Sequence, residues 1–529
     1  MSQAPHTLTE SGGSFFSLLP ARTFTPEDFD REDRMMIGAA SEFSRGEVLP
    51  VVERLDHQED GLMRSLITRA GELGFCGPDT PDTYGGLGLG KNVAARMLEF
   101  LSLNGSFSVT IGITSGISQV GLALFGEEAQ KQRYLPRLTS GDWIGAYALS
   151  EPNSGSDALS LSTRAEKTAQ GYRLTGTKMW ISNAKWADLF LVMAKIDGEH
   201  LAAFLVERNF PGVEISREEH KMGLKGSSTA RLVLENAEVP TENLLYEPGK
   251  GHHVAFNALN IGRFKLASMS MGPARASFEA AANYAQERRQ FGRPIAEFGL
   301  IRQKFAEMAA RFFAAEAMVY RTGALIDAAF AAQSDTIDGR RAAAEEFAIE
   351  CSACKVFATE VEAFLVDESL QVFGGYGFTE EFPVARNYRD ARVSRIYEGT
   401  NEINRVFMSD RMFRRAAEGR VSLNGLTDSF VAELAANAFR QRPSDQIHLG
   451  ALSDLLALAY AEQSSRLRAE RLGDLGRSLH ACFENWVALQ AASAYRLATG
   501  ESVSLPAPTP VDLDALGAAL IQGGAIPEF

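Results

Sequence analysis

Gly171-Tyr-Arg-Leu-Thr-Gly-Thr-Lys-Met-Trp-Ile-Ser182 divides this chain. Strand formers recur in it at near-alternate positions, the period of a half-buried strand. Ala187-Asp-Leu-Phe-Leu-Val-Met-Ala-Lys195, Leu201-Ala-Ala-Phe-Leu-Val-Glu207 and Ala230-Arg-Leu-Val-Leu-Glu-Asn-Ala-Glu-Val239 repeat the pattern, with Gly, Asn and Asp turns between them. Residues 145–245 therefore read as a small antiparallel β domain, resembling a barrel. The flanks have a different period. Residues 27–144 read as helical, interrupted by a loop at Pro81, Gly85, Gly86, Gly88 and Gly90. After 246, Ile301, Phe305, Met308, Phe312, Ala315 and Val319 form one apolar stripe over five turns. This predicts a helix of a four-helix bundle over 246–410. Residues 411–529 add a mostly helical extension, interrupted by the Pro-rich stretch 505–510. The expected fold is α+β and mainly helical, in the order helices, strands, helices, extension.

Composition excludes several classes. The chain has 529 residues, 45% hydrophobic and 23% charged, with a net charge of −14. That is ordinary for a globular protein of about three or four folding units. The acidic balance argues against nucleic acid, which needs a basic footprint. No run reaches the roughly 20 apolar residues of a membrane span. The first 22 residues lack a basic signal-peptide start and an Arg-rich transit pattern. Four cysteines are too sparse for a disulfide framework. A bacterial cytoplasmic location is expected.

Several motifs have plain readings. Gly86, Gly88 and Gly90 follow no strand, so they read as a loop rather than a dinucleotide fingerprint. Cys351 and Cys354 read as two buried thiols on a helix face. His252 and His253 read as loop residues without a partner at metal-ligand spacing. Arg466, Arg468, Arg471 and Arg477, interleaved with Glu470 and Asp474, read as a solvated helix face rather than a membrane-surface helix. No metal centre is expected.

Four segments differ. Tyr147-Ala-Leu-Ser-Glu-Pro-Asn-Ser-Gly-Ser-Asp157 offers small residues, amides and hydroxyls to a flat polar ligand and its phosphates. Lys178-Met-Trp-Ile-Ser-Asn183 places a tryptophan and a hydroxyl on a predicted strand. Arg288-Arg-Gln-Phe-Gly-Arg-Pro294 is a basic-aromatic elbow at a helix end. Gln371-Val-Phe-Gly-Gly-Tyr-Gly-Phe378 is followed by Arg395-Ile-Tyr-Glu-Gly-Thr-Asn-Glu402. Each alone is a weak signal. In this order, over about residues 30–410, they resemble the acyl-CoA dehydrogenase family. The extension, Leu259–Phe264 and Phe298–Ile301 resemble its very-long-chain branch.

The resemblance implies removal of the α-proton of a fatty acyl-CoA and transfer of the β-hydrogen to FAD as hydride, giving trans-2-enoyl-CoA. It places the base at Glu398, whose pKa desolvation in a dry acyl channel is expected to raise. Tyr397 and Gly399 flank the base on the substrate side. An alternative family position for the base falls on Gly262, which cannot serve. The resemblance assigns FAD contacts to Tyr147, Leu149, Ser150, Gly155, Ser156, Trp180, Ser182, Thr400 and Glu402. Arg288, Phe291, Gln371, Gly374 and Gly375 match an elbow and stretch that reach the FAD of a neighbouring subunit. Ser156, Asn260 and Arg263 match the thioester end of the substrate. Gly299 departs from a glutamine common in the family but agrees with the very-long-chain branch. Gly112, Ile113 and Gly116 imply a deep acyl pocket. The expected acceptor is an electron-transfer flavoprotein, and the expected assembly a homodimer. Mixed charge in the extension argues against the membrane binding of that branch. The competing readings are a flavin oxidase and a non-catalytic binding or assembly protein on the same fold.

Overall fold

The computed structural model describes residues 10–426 and 429–527. Residues 1–9, part of the stretch examined for a leader, lie outside them. The chain forms two compact units. One comprises Glu32–Lys265 with Gln333–Glu345; the other comprises Met1–Arg31, Leu266–Ala332 and Glu346–Phe529.

The first unit begins with helices α1 (Arg31–Phe43), α2 (Val52–Asp56), α3 (Leu62–Glu72), α4 (Lys91–Leu101), α5 (Gly105–Gly112), α6 (Ser118–Phe125) and α7 (Glu128–Thr139). Residues 86–90 form the expected loop before α4. Asn104 caps α5, its side chain accepting from the Phe107 amide at 3.0 Å. A π turn, Ile113–Ile117, joins α5 to α6. The joined run Gly105–Phe125 is long and apolar enough to cross a membrane, contrary to the sequence expectation, and 89% of an 18-residue stretch of it is buried within the protein. Interspersed Ser and Thr hid it from a count of consecutive apolar residues. Their hydroxyls turn back onto helix carbonyls, Thr114 to Thr110 and Ser115 to Ile111, both at 2.9 Å.

The sheet follows with β1 (Gly145–Ala148), β2 (Arg164–Lys167), β3 (Gly171–Ser182), β4 (Leu189–Ile196), β5 (His200–Glu207), β6 (Val213–Ile215), β7 (Thr229–Pro240) and β8 (Leu244–Leu245). The strand order is β6-β7-β3-β2-β4-β5-β8, with β1 added against β4. Pairing is antiparallel as expected, except that β1 and β2 run parallel to β4. Leu174, Phe190, Val192, Phe204, Val206, Leu232 and Leu234 form its core.

Helix α8 (Gly251–Glu287) starts in the first unit, and its first turn holds His252 and His253, which are helical rather than in a loop. A small hairpin, β9 (Arg289–Gln290) and β10 (Arg293–Pro294), turns the chain into α9 (Gly299–Ala332). Then come α10 (Ile337–Glu346), α11 (Ala348–Phe373), α12 (Pro383–Ala391) and α13 (Asn401–Ala417). The predicted stripe is buried along α9 from Phe305 to Val319. Cys351 and Cys354 are buried thiols on α11, as read.

The extension adds α14 (Phe430–Arg440), α15 (Gln446–Ala469), α16 (Gly473–Thr499) and α17 (Leu513–Gly523). Helices α15, α16 and α17 all pack on α9. Gly517 permits the last contact, since a Cβ there would lie 2.0 Å from the Arg302 carbonyl oxygen. The arginine face is not uniformly solvated. Arg468 is 1% exposed and bonds Glu316 and Glu27, both at 2.8 Å. Arg471, paired with Asp28, and Arg477, paired with Asp474, are exposed as the solvated reading expects, and Arg466 is half-buried. The N-terminal segment straps this region. Phe15 packs on Tyr460 with centroids 4.6 Å apart, and the Gln463 amide donates to the Phe15 carbonyl at 3.1 Å.

Candidate active site

In the second unit the sequence Ile396–Thr400 forms a tight loop before α13. Glu398 has φ +58° and Gly399 φ +80°. A left-handed glutamate is costly and persists only where its surroundings impose it. Those surroundings come from α11 and α13. The Lys355 ammonium, fully buried, donates to the Gly399 carbonyl at 2.9 Å and to Asn401 Oδ1 at 2.6 Å. The Asn404 amide donates to the same carbonyl at 2.9 Å. Thr400 caps α13, its hydroxyl accepting from the Ile403 amide at 3.2 Å. Glu398, Tyr397 and Gly399 are half-buried, and Glu402 is exposed beside the cap. Sequence reading missed Lys355. A lysine in an apolar helical stretch was its only local signal.

Glu362 sits on α11 behind this loop, 3% exposed, with Ser394, Asp390 and Arg395 around it. Burial pushes its pKa up to about 8, the serine hydroxyls and Arg395 opposing. Above the unfolded pKa the unfolded state releases this proton while the native state keeps it until about pH 8. Glu362 therefore lowers stability as pH rises from the unfolded pKa to about 8, with a limiting slope of about 1.4 kcal/mol per pH unit. Glu362→Gln is expected to flatten this part of the stability–pH curve. Denaturant titrations from pH 5 to 8 check it; parallel curves for the two proteins would refute it.

The elbow lies in the same unit. Phe291 at the tip of the β9–β10 hairpin is 94% exposed and held at φ +50°. Arg288 lies over the Tyr376 ring at 5.4 Å. With Gln290, Phe373, Gly374 and Gly375 they line a groove of about 550 Å³. Gly374 has φ +60°, and a Cβ on either glycine would meet nothing within 4 Å. Gln371 is exposed one turn earlier, its carbonyl capped by the Gly374 amide.

The remaining predicted residues lie in the first unit. Tyr147 is on β1, and the Met179 amide donates to the Ser150 carbonyl at 2.9 Å, joining two of the quoted segments. The β3–β7 register shifts between Lys178 and Ile181. Trp180 occupies this irregularity with φ +61° and is 56% exposed. A bulge re-aims a side chain in this way. Ser182 ends β3. Asn183, fully buried at φ +66°, donates to the Thr110 and Gly145 carbonyls at 3.1 and 3.0 Å. Beneath lies a buried pair that sequence reading also missed, although both residues stand in quoted segments. Lys178 bonds Glu151 at 2.7 Å and the Leu149 carbonyl at 3.1 Å. Glu151 also accepts from Ser162 and Thr163, and Lys178 holds its carboxyl well below the usual range against the cost of burial. Gly155 and Ser156 are exposed. Asn260 and Arg263 are both buried on α8, joined at 3.4 Å, so Arg263 is no helix-surface arginine.

Models of the N-terminal, middle and C-terminal domains of acyl-CoA dehydrogenase match residues 30–142, 146–237 and 249–413. The chain belongs to the acyl-CoA dehydrogenase family. It is 47% identical to a probable acyl-CoA dehydrogenase of Bacillus subtilis (strain 168), over 80% of this chain and 73% of that one. It is 39% identical to the mitochondrial very long-chain specific acyl-CoA dehydrogenase of Homo sapiens, over 64% of this chain but 51% of that one. Its fold matches a structure of acyl-CoA dehydrogenase complexed with FAD from Bacillus anthracis with a TM-score of 0.92 and 37% identity. That match covers 98% of this chain and all of the other, so the extension is included.

This acyl-CoA dehydrogenase is an FAD-dependent oxidoreductase acting on CH–CH bonds. Its residues fit the cofactor. Bared Trp180 in the first unit suits a flat ring system; in the second unit bared Phe291 does likewise, and the open backbone at Gly374 and Gly375 suits phosphates approaching closely. Four non-glycine residues with positive φ, Trp180, Asn183, Phe291 and Glu398, fall inside the four segments singled out from sequence.

Proposed function

We propose that this enzyme dehydrogenates long-chain fatty acyl-CoA to the trans-2-enoyl-CoA in the bacterial cytoplasm, with Glu398 as base and electron-transfer flavoprotein as acceptor. The observation that carries it is the left-handed Glu398, held by Lys355 and Asn404 through the Gly399 carbonyl. Such preorganisation serves a carboxylate that must meet one C–H bond in one direction. Glu398 takes the α-proton, and the C–H electron pair becomes the new π bond as the β-hydrogen departs. Bound FAD supplies the hydride acceptor for that hydrogen. Tyr397 and Gly399 shape the loop around the acyl group, and Asn260 and Arg263 order the thioester end. Tyr147, Leu149, Ser150, Gly155, Ser156, Trp180, Ser182, Thr400 and Glu402 hold the flavin of their own subunit. Arg288, Phe291, Gln371, Gly374 and Gly375 serve the FAD of a second copy, which makes the working form a homodimer.

The chain-length reading rests on Gly112, Ile113 and Gly116, where small or apolar residues leave depth. Anaerobic bleaching of the flavin bands is expected to be fastest with acyl chains of about C14–C18, since each buried CH₂ adds about 0.8 kcal/mol. Acyl-CoAs from C8 to C20, assayed in parallel with C4 and C6, check this; a C4 or C6 optimum would overturn it. Stoichiometric peroxide without an added acceptor would replace the flavoprotein acceptor with oxygen.

A further inference from the structure

The extension carries a cluster of titratable side chains that the dehydrogenation does not use. His480 and Glu484 stand four residues apart on α16, hence on one face. Glu462 belongs to α15, which packs against α16. One ligand atom from each of the three lies within 4.8 Å of the others. Glu462 is 6% exposed.

Each side chain is steadied by a hydroxyl. Ser429 donates to Glu462 at 3.0 Å, and Thr509 donates to Glu484 at 2.6 Å. His480 Nδ1 meets the Ser465 hydroxyl at 2.9 Å. Such outer partners orient metal ligands and set the imidazole tautomer. Burial lowers the His480 pKa, with Glu484 opposing and Arg466 adding to it. A cavity of about 490 Å³, lined by Glu462, Glu484, Arg466 and the run Pro506–Thr509, gives water access. Two carboxylates and one imidazole converge in this partly buried place, with the Arg466 side chain on the cavity wall.

We propose that Glu462, His480 and Glu484 bind a divalent transition cation of the zinc class, with water completing its coordination. One imidazole and two carboxylates are a donor set that Zn²⁺ accepts, and an open position for water is common in such three-ligand sites. The cation would tie α15 to α16 and, through Thr509, to the Pro-rich run before α17. It takes no part in the redox step.

The FAD-loaded enzyme, stripped with EDTA, is dialysed against Zn²⁺ and the bound metal quantified by mass spectrometry. One Zn²⁺ per chain is expected. His480→Ala and Glu484→Gln are each expected to weaken it at least tenfold while keeping wild-type flavin content; the second variant is nearly isosteric and guards against a folding defect in the first. His252→Ala, which alters the His252–His253 pair outside the cluster, is expected to leave the stoichiometry unchanged. Substoichiometric binding by the wild type, equal binding by both cluster variants, or loss on His252→Ala would each overturn the proposal.

Discussion

Glu398→Gln is expected to lower the rate of flavin reduction by about 10²–10⁴-fold, the usual range for removing a general base. The amide keeps the shape of the carboxylate but cannot accept the α-proton. The loop should stay in place, because its anchors are elsewhere: Lys355 and Asn404 hold the Gly399 carbonyl, and Thr400 caps α13. FAD content and the visible spectrum of the oxidised variant should therefore match the wild type, and acyl-CoA should still bind. Stopped-flow reduction with palmitoyl-CoA under anaerobic conditions separates the steps. Bleaching at the wild-type rate would remove Glu398 from the chemistry. A colourless variant would instead assign it a role in holding the loop for the cofactor.

The largest effect on stability is expected at Glu316, in the middle of α9. Its carboxylate is 1% exposed and accepts from Arg275 and Arg468, each at 2.8 Å. Both guanidiniums are buried, over Phe312 and Phe313 respectively. Glu316→Leu leaves two buried cations without their shared counter-charge, although Arg468 retains Glu27 at 2.8 Å. Breaking one such pair costs about 3–5 kcal/mol, a large part of a total near 5–15 kcal/mol. Because Arg468 belongs to α15 and Glu27 to the N-terminal strap, the loss should also loosen the extension. Urea denaturation and limited proteolysis of residues 430–523 check both; Glu316→Gln, which keeps a neutral acceptor, should fall between. A Leu variant as stable as the wild type would show that the network adds nothing to stability.

The helix–sheet–helix order was legible because periodicity is local. The alternation along β3 and the stripe along α9 each come from one backbone geometry over a dozen or so residues. The four site segments were legible as places where small residues, aromatics and charges break those periods. Trp180, Phe291 and Glu398 show the physical basis, since all three have backbones that ordinary elements do not use. Charged residues misled the reading wherever burial decided their meaning. Arg468 looks like any solvated arginine until Glu316 and Glu27 arrive from 152 and 441 residues away. Helix Gly105–Phe125 misled in the opposite direction, its hydroxyls disguising an apolar buried run.

The sequence by itself determined the family, the FAD chemistry and the order of the elements, because each short motif already encodes its own turns and caps. Only the tertiary structure supplied the groups that hold those motifs in place. Lys355 reaches Gly399 across 44 positions, and Lys178 reaches Glu151 across 27. The same holds for Glu462, which joins His480 and Glu484 only when α15 meets α16. A charge at the surface says little about structure, whereas a buried one demands a partner. Which charges become buried is fixed by packing between segments far apart in the chain.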